Sequence, residues 1–161
     1  MTRSGIGWDS HRLVLGRPLV LGGVVVPDAP RGLEGHSDAD VLTHAVIDAL
    51  LGAAGLGDIG LHFPDTDERW RDADSIELLR STHALLRDAG LSPVNVDATV
   101  VCEAPRLSPY RGQMRDSLAS AVGLPAGAVN VKFTTAERMG FIGRGEGVAA
   151  LAIATVSDSR D

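Results

Sequence analysis

The chain has 161 residues, 44% of them apolar and 22% charged, which is enough to bury a sizeable core as one domain over residues 1–161. A net charge of −6 and a single lysine, Lys132, exclude a general nucleic-acid surface. No apolar run approaches the roughly 20 residues of a membrane span, the opening MTRSGIGWDSH lacks the apolar core of a signal peptide, and one cysteine, Cys102, excludes an internal disulfide framework; a cytoplasmic protein with no membrane partner is expected.

In chain order, residues 3–8 and PLVLGGVVV at 18–26 read as strands. Ser37 is placed as the N-cap of a helix running to about Ala54, with Asp38 and Asp40 in its first turn. Gly-rich GAAGLGDIG ends that helix, and LHFPDTDERWRDAD reads as an exposed loop. Asp74 and Glu77 resemble a capping box that opens a second helix, closed at Gly90 before Pro93. VNVDATVVCE at 94–103 alternates as a strand does. Ser108 and Pro109 start a third helix with Tyr110, Met114 and Leu118 on one stripe, stopped by Gly123 and Pro125. VNVKFTT and GVAALAIATV are the last two strands. The mixed order implies an α/β fold (an α+β sandwich), a mixed sheet with helices on one face.

Two short stretches concentrate metal-ligand chemistry. In Asp9-Ser10-His11, residues two apart on an extended segment point the same way, so Asp9 and His11 can meet one ion. HSDADVLTH at 36–44 offers His36 and His44 as a third ligand, but not both: on a helix, eight residues span about 12 Å, whereas zinc ligands lie about 2 Å from the metal. His36 precedes the expected N-cap, where free N–H groups favour an anion. His44 is inside the helix, where a rigid ligand is better held, and Asp40 and Asp48 flank it by four residues as candidates to orient its ring. Asp9, His11 and His44 are therefore assigned to the metal, and His36 to substrate. Three protein ligands leave one position open, as in a catalytic zinc site. His83 shares an apolar stripe with Ile76, Leu79 and Leu86 and is left out of the site.

The motifs GWDSH, GHSDADVLTH, DALLGAAGLGDIGLHFPDTD, APRLSPY and NVKFTTAERMGFIGRGEG, in this order over roughly residues 3–155, resemble the 2-C-methyl-D-erythritol 2,4-cyclodiphosphate synthases of the non-mevalonate isoprenoid route. The resemblance implies a homotrimer with active sites between subunits. The implied reaction is attack of the 2-phosphate of 4-diphosphocytidyl-2-C-methyl-D-erythritol 2-phosphate on the phosphorus nearer the erythritol, with loss of CMP. It also implies one zinc per subunit on Asp9, His11 and His44, agreeing with the spacing argument.

By the same resemblance, Ser10, His36 and Ser37 contact substrate, with His36 stabilising the transition state. Asp58, Ile59 and Gly60 hold the hydroxyls, and Phe63, Pro64, Asp65, Thr66 and Asp67 form a loop over the erythritol phosphate. Cys102, Glu103, Ala104, Pro105, Arg106, Leu107 and Ser108 form the cytosine pocket. Thr134, Thr135 and Ala136 contact the cytidine diphosphate, with Thr135 stabilising the transition state. Glu137 holds a second ion, magnesium or manganese, that bridges the diphosphate, and Phe141 and Arg144 complete the set. Ala136 and the residues near Ser108 depart from the usual family pattern. Trp8 stands where phenylalanine is familiar, and beside Phe141 it would line a central cavity able to take an isoprenoid diphosphate. Two other readings remain on the sequence: a zinc-dependent phosphohydrolase using water, and a catalytically silent trimer binding metal or isoprenoid diphosphate.

Overall fold

In this computed structural model residues 1–158 are described; the last three residues of the expected domain, 159–161, lie outside the described residues. Strand β1 (Thr2–Val14) pairs antiparallel with β7 (Gly147–Asp158), which pairs antiparallel with β5 (Leu91–Val101). Strand β6 (Val129–Thr134) lies parallel to β5, and the short β4 (Gly32–Leu33) closes the other edge, giving the order β4-β1-β7-β5-β6. The expected mixed sheet is thus present, with a first strand longer than residues 3–8.

Helices α1 (Val41–Ala54), α3 (Ser75–Asp88) and α4 (Arg111–Ala121) cover one face. The seam between α1 and β1 is set by two glycines. A Cβ on Gly7 would lie 1.9 Å from the carbonyl oxygen of Ala45, and one on Gly5 2.3 Å from that of Ala49. Backbone therefore rests on backbone there, which brings the Asp9–His11 end of β1 close to α1. On the opposite face, Ile6, Trp8, Leu151 and Ile153 are exposed, Ile6 at 66% and Trp8 at 53%. The register puts Ile6 opposite Ile153 and Trp8 opposite Leu151, so these four form one apolar patch.

Several expected boundaries move. Residues 18–26 are not one strand but a hairpin of β2 (Val20–Leu21) and β3 (Val24–Val25), because Gly22 and Gly23 both take positive φ and form its two-residue turn. The N-cap of α1 is Asp40, not Ser37, so Asp38 and Asp40 precede the helix. Asp40 accepts from the backbone N–H of Thr43 at 3.0 Å and from the amides of Gly22 and Gly23 at 2.9 and 2.7 Å. It is fully buried, and burial, followed by the charge of Asp38, raises its pKa. Asp74 does cap α3, but Glu77 pairs with Arg80 instead of completing a capping box. The 61–74 loop contains the end of a short helix α2 (Ile59–His62) and a 3-10 turn at Glu68–Trp70. A 3-10 turn at Ser108–Tyr110 leads into α4, whose Met114 and Leu118 are buried as the stripe predicts. A short helix α5 (Gly140–Gly143) precedes β7.

Candidate active site

Strand β1 presents Asp9 and His11 on one side, and α1 presents His44 from its first turn. Asp9 Oδ2 lies 2.9 Å from His11 Nε2 and 2.9 Å from His44 Nδ1. One donor atom from each of the three residues lies within 4.8 Å of the other two, close enough to share one ion. The two imidazoles meet edge-on, with centroids 5.5 Å apart. A carboxylate oxygen and two ring nitrogens converging at a cavity rim are a donor set suited to a borderline divalent ion, with room for a further ligand.

The electrostatics match. Burial pushes the Asp9 carboxyl up, but hydrogen bonds and charge from His11 and His44 outweigh it and bring its pKa down to about 2. Burial pulls His11 down, yet the hydrogen bond and charge of Asp9 leave its pKa raised. Each histidine is also gripped from behind. His11 Nδ1 lies 2.6 Å from the Glu34 carbonyl oxygen, and His44 Nε2 lies 2.9 Å from Ser75 Oγ and 3.2 Å from Ser37 Oγ. Neither carboxylate expected to orient His44 does so. Asp40 is occupied with the hairpin and helix amides, and Asp48 accepts from the Ile59 backbone N–H at 2.8 Å, where it steadies the start of α2. Burial raises the pKa of Asp48.

The three donors face a cavity of about 410 Å³, also lined by His36, Ser37, Ile59, Gly60, Phe63, Pro64 and Asp65, with Trp70 and Asp48 completing the wall. His36 Nε2 lies 3.1 Å from the Asp67 carbonyl oxygen, tying it to the 63–67 loop. Asp58 caps α2 by accepting from the Leu61 N–H at 2.9 Å, and the Asp67 carboxylate accepts from Arg69; neither lines the cavity, nor does exposed Thr66.

The remaining expected residues gather elsewhere. Cys102, Glu103, Pro105, Arg106, Leu107, Ser108, Thr134 and Thr135 line a second cavity of about 250 Å³, with a cis peptide at Ala104–Pro105. It shares no lining residue with the first. The Cys102 Sγ–H donates to the Ala104 carbonyl oxygen, and burial pushes the thiol up to about 11, so it is a buried apolar group rather than a thiolate. Glu103 Oε1 accepts from the Ala136 and Arg138 amides at 2.7 and 3.3 Å, steadying a turn in which Glu137 and Arg138 take positive φ. Thr135 Oγ1 donates to Glu137 Oε1 at 2.9 Å. Ser10, His11, Arg12, Phe141, Glu146 and Gly147 line a third, smaller cavity, with Arg144 paired to Glu146 at 2.6 Å.

The profile of the YgbB family matches residues 2–157. The chain is 59% identical over 157 residues to the 2-C-methyl-D-erythritol 2,4-cyclodiphosphate synthase of Salinibacter ruber, covering 98% of this chain and 99% of that one. The chain belongs to the YgbB family. The corresponding synthase of Halorhodospira halophila is likewise 59% identical, over 160 residues, covering 99% and 98% of the two chains. A solved structure of a 2C-methyl-D-erythritol-2,4-cyclodiphosphate synthase with CDP superposes with a TM-score of 0.87 at 41% identity, covering 96% of this chain and all of that one. The expected membership of the synthase family, and with it a lyase-class enzyme, therefore stands.

In this YgbB-family chain, sequence reasoning missed Ser75, Asp38 and the Glu34 carbonyl, which stand behind His44 and His11. Ser75 follows the expected cap Asp74, so the DADS run was a signal for a helix start but carried none for its distant neighbour His44. No helix of the described residues is long and apolar enough to cross a membrane.

Proposed function

We propose that this chain forms 2-C-methyl-D-erythritol 2,4-cyclodiphosphate and CMP from 4-diphosphocytidyl-2-C-methyl-D-erythritol 2-phosphate, as a step towards isoprenoid precursors. The observation that carries the reading is the Asp9, His11 and His44 donor set at the mouth of the 410 Å³ cavity. Asp9 Oδ2, His11 Nε2 and His44 Nδ1 would hold one zinc ion per subunit, which when bound polarises a phosphoryl oxygen as a Lewis acid. Glu137 would hold a magnesium or manganese ion on the diphosphate, as hard carboxylate oxygens suit such ions.

His36 and Ser37 orient the 2-phosphate within the same cavity. An oxygen of that phosphate attacks the phosphorus nearer the erythritol. The bond from that phosphorus to the bridging oxygen breaks, and CMP leaves with the electron pair. No water is consumed, so alignment and charge neutralisation dominate the rate. Asp58, Ile59 and Gly60 bind the hydroxyls, the 63–67 segment covers the erythritol phosphate, and Thr135 stabilises the transition state. Cys102–Ser108 cradle the cytosine mainly through backbone groups, Thr134 and Ala136 meet the cytidine diphosphate, and Arg144 and Phe141 lie beside the cavity near Ser10.

Two features support a homotrimer with sites between neighbours. The metal half and the cytidine half lie in separate cavities of one chain, and the exposed Ile6, Trp8, Leu151 and Ile153 patch needs cover. Trp8 and Phe141 would then border a central cavity suited to an isoprenoid diphosphate. The unpaired thiol of Cys102 suits the reducing cytoplasm. The test is incubation with the diphosphocytidyl substrate, zinc and magnesium, read by phosphorus NMR and mass. CMP formed one-for-one with the cyclic diphosphate is expected; an open-chain phosphate would mean hydrolysis and end the reading.

A further inference from the structure

We propose that Ser75 and Asp38 act as a positioning relay that fixes the tautomer of His44 and so sets how tightly the metal is held. The inference rests on the reading of Asp9, His11 and His44 as ligands. An imidazole that binds metal through Nδ1 must carry its proton on Nε2, and that N–H needs an acceptor. His44 Nε2 meets Ser75 Oγ at 2.9 Å in a buried setting.

A hydroxyl can donate or accept, so the direction depends on where its own hydrogen goes. Ser75 Oγ donates to Asp38 Oδ1, and Asp38 Oδ2 accepts the Ser75 backbone N–H at 3.0 Å. Asp38 Oδ1 also receives the Asp40 N–H at 3.1 Å. Three donors thus converge on one carboxylate, which acts here only as an acceptor. With its hydrogen committed to Asp38, the Ser75 oxygen turns lone pairs towards His44. The order is His44 Nε2–H to Ser75 Oγ–H to Asp38; with Nε2 so committed, Nδ1, whose N–H meets the Asp9 carboxylate in the metal-free chain, is the nitrogen that gives up its proton to a metal ion.

Ser37 Oγ, 3.2 Å from the same nitrogen, accepts the Ala39 N–H and is the longer of the two contacts. Ser75 is fully buried, so bulk water does not replace its hydroxyl. The relay also links the first residue of α3 to the 36–38 segment, so ordering of the metal ligand and placement of His36 are coupled through Asp38.

The test uses the full chain and its Ser75→Ala and Asp38→Asn variants. Zinc affinity is measured by competition with a chromogenic chelator, and the ligating nitrogen of His44 by nitrogen-15 NMR of zinc-loaded protein. Circular dichroism checks folding. Wild-type protein is expected to show zinc on Nδ1 with the hydrogen on Nε2 retained. Ser75→Ala is expected to weaken zinc about 10–100-fold, the usual cost of losing such a partner. Asp38→Asn can place its NH2 against Ser75 Oγ, so the hydroxyl turns its hydrogen towards His44 and opposes the Nε2–H; a loss of affinity comparable to that of Ser75→Ala is expected. Zinc on Nε2 in the wild type overturns the relay without any variant. Zinc affinity unchanged in both folded variants overturns it too, while wild type that binds no zinc at all sinks the underlying metal reading instead.

Discussion

Asp9 and His44 are 35 positions apart, yet Asp9 Oδ2 and His44 Nδ1 lie 2.9 Å from each other, one on a strand and the other on the helix laid across it. Removing either side chain leaves two donors from this chain, one fewer than the three of an open catalytic zinc site. His44→Ala is expected to purify without zinc and to lose roughly 10²-fold or more in turnover, since the ion's charge stabilisation is worth several kcal/mol. Metal analysis alongside a CMP-release assay checks both parts. Full turnover in zinc-free His44→Ala protein would contradict the assignment.

The same contact governs acid stability of the metal-free protein. The folded-state pKa of Asp9 is about 2, below its ordinary 3.8. Its contribution, about 2 kcal/mol, is therefore present above pH 3.8 and lost as pH falls through about 2. For His11 the sign reverses: with a raised pKa, its contribution is full below 6.5 and fades as pH climbs through the folded value. Urea titrations in the presence of a chelator should show both slopes, and Asp9→Asn should flatten both.

The glycine seam gives a paired prediction. Gly7→Ala forces a Cβ against the Ala45 carbonyl and should cost about 3 kcal/mol, while also moving Asp9 away from His44 and lowering zinc content. Gly52 is on the exposed side of α1, where an added Cβ would meet nothing closer than 3.9 Å. Gly52→Ala should instead stabilise the fold by about 0.5–1 kcal/mol. Thermal melts of the two variants decide the matter.

Ile153 is 48% exposed and stands opposite Ile6 on the open sheet face. Ile153→Asp places a charge in that patch and is expected to yield monomers in sedimentation while leaving the subunit folded. Because the cytidine half is proposed to come from a neighbour, these monomers should still bind zinc but release no CMP. Active monomers would remove the intersubunit site.

Glu137→Gln addresses the second ion separately. Turnover should lose its magnesium dependence and fall, with zinc content unchanged. An unaltered magnesium titration would reassign that role.

Much of this was legible because chemistry and periodicity coincided locally. Asp9 and His11 share a strand face by simple alternation, and the Met114 and Leu118 stripe marks the buried side of α4. The difficulty arose where a side chain answers to distant backbone. Asp40 and Asp48 have the right helical spacing to reach His44, but the amides of Gly22 and Gly23 capture one and the Ile59 amide the other. Ser37 has the composition of a helix cap, yet Asp40 supplies the cap while Ser37 turns to His44. Ser75 was invisible for the same reason: its partners Asp38 and His44 are more than 30 positions away.

The chain contains two tryptophans, and the fold sends them to different places. Trp8 stands on the open sheet face, while Trp70 packs edge-on against Phe63 at 5.2 Å in the wall of the cavity that holds Asp9, His11 and His44, with Arg69 over its ring. The Trp70 indole N–H is buried without a hydrogen-bond partner among the described residues. Indole emission follows the polarity around the ring, so the protein carries two built-in optical probes. In a Trp8→Phe protein the remaining fluorescence reports ligand entry at the cavity; in Trp70→Phe it reports what covers the sheet. Assembly and substrate binding can thus be followed as separate colours and time courses, without attaching a dye.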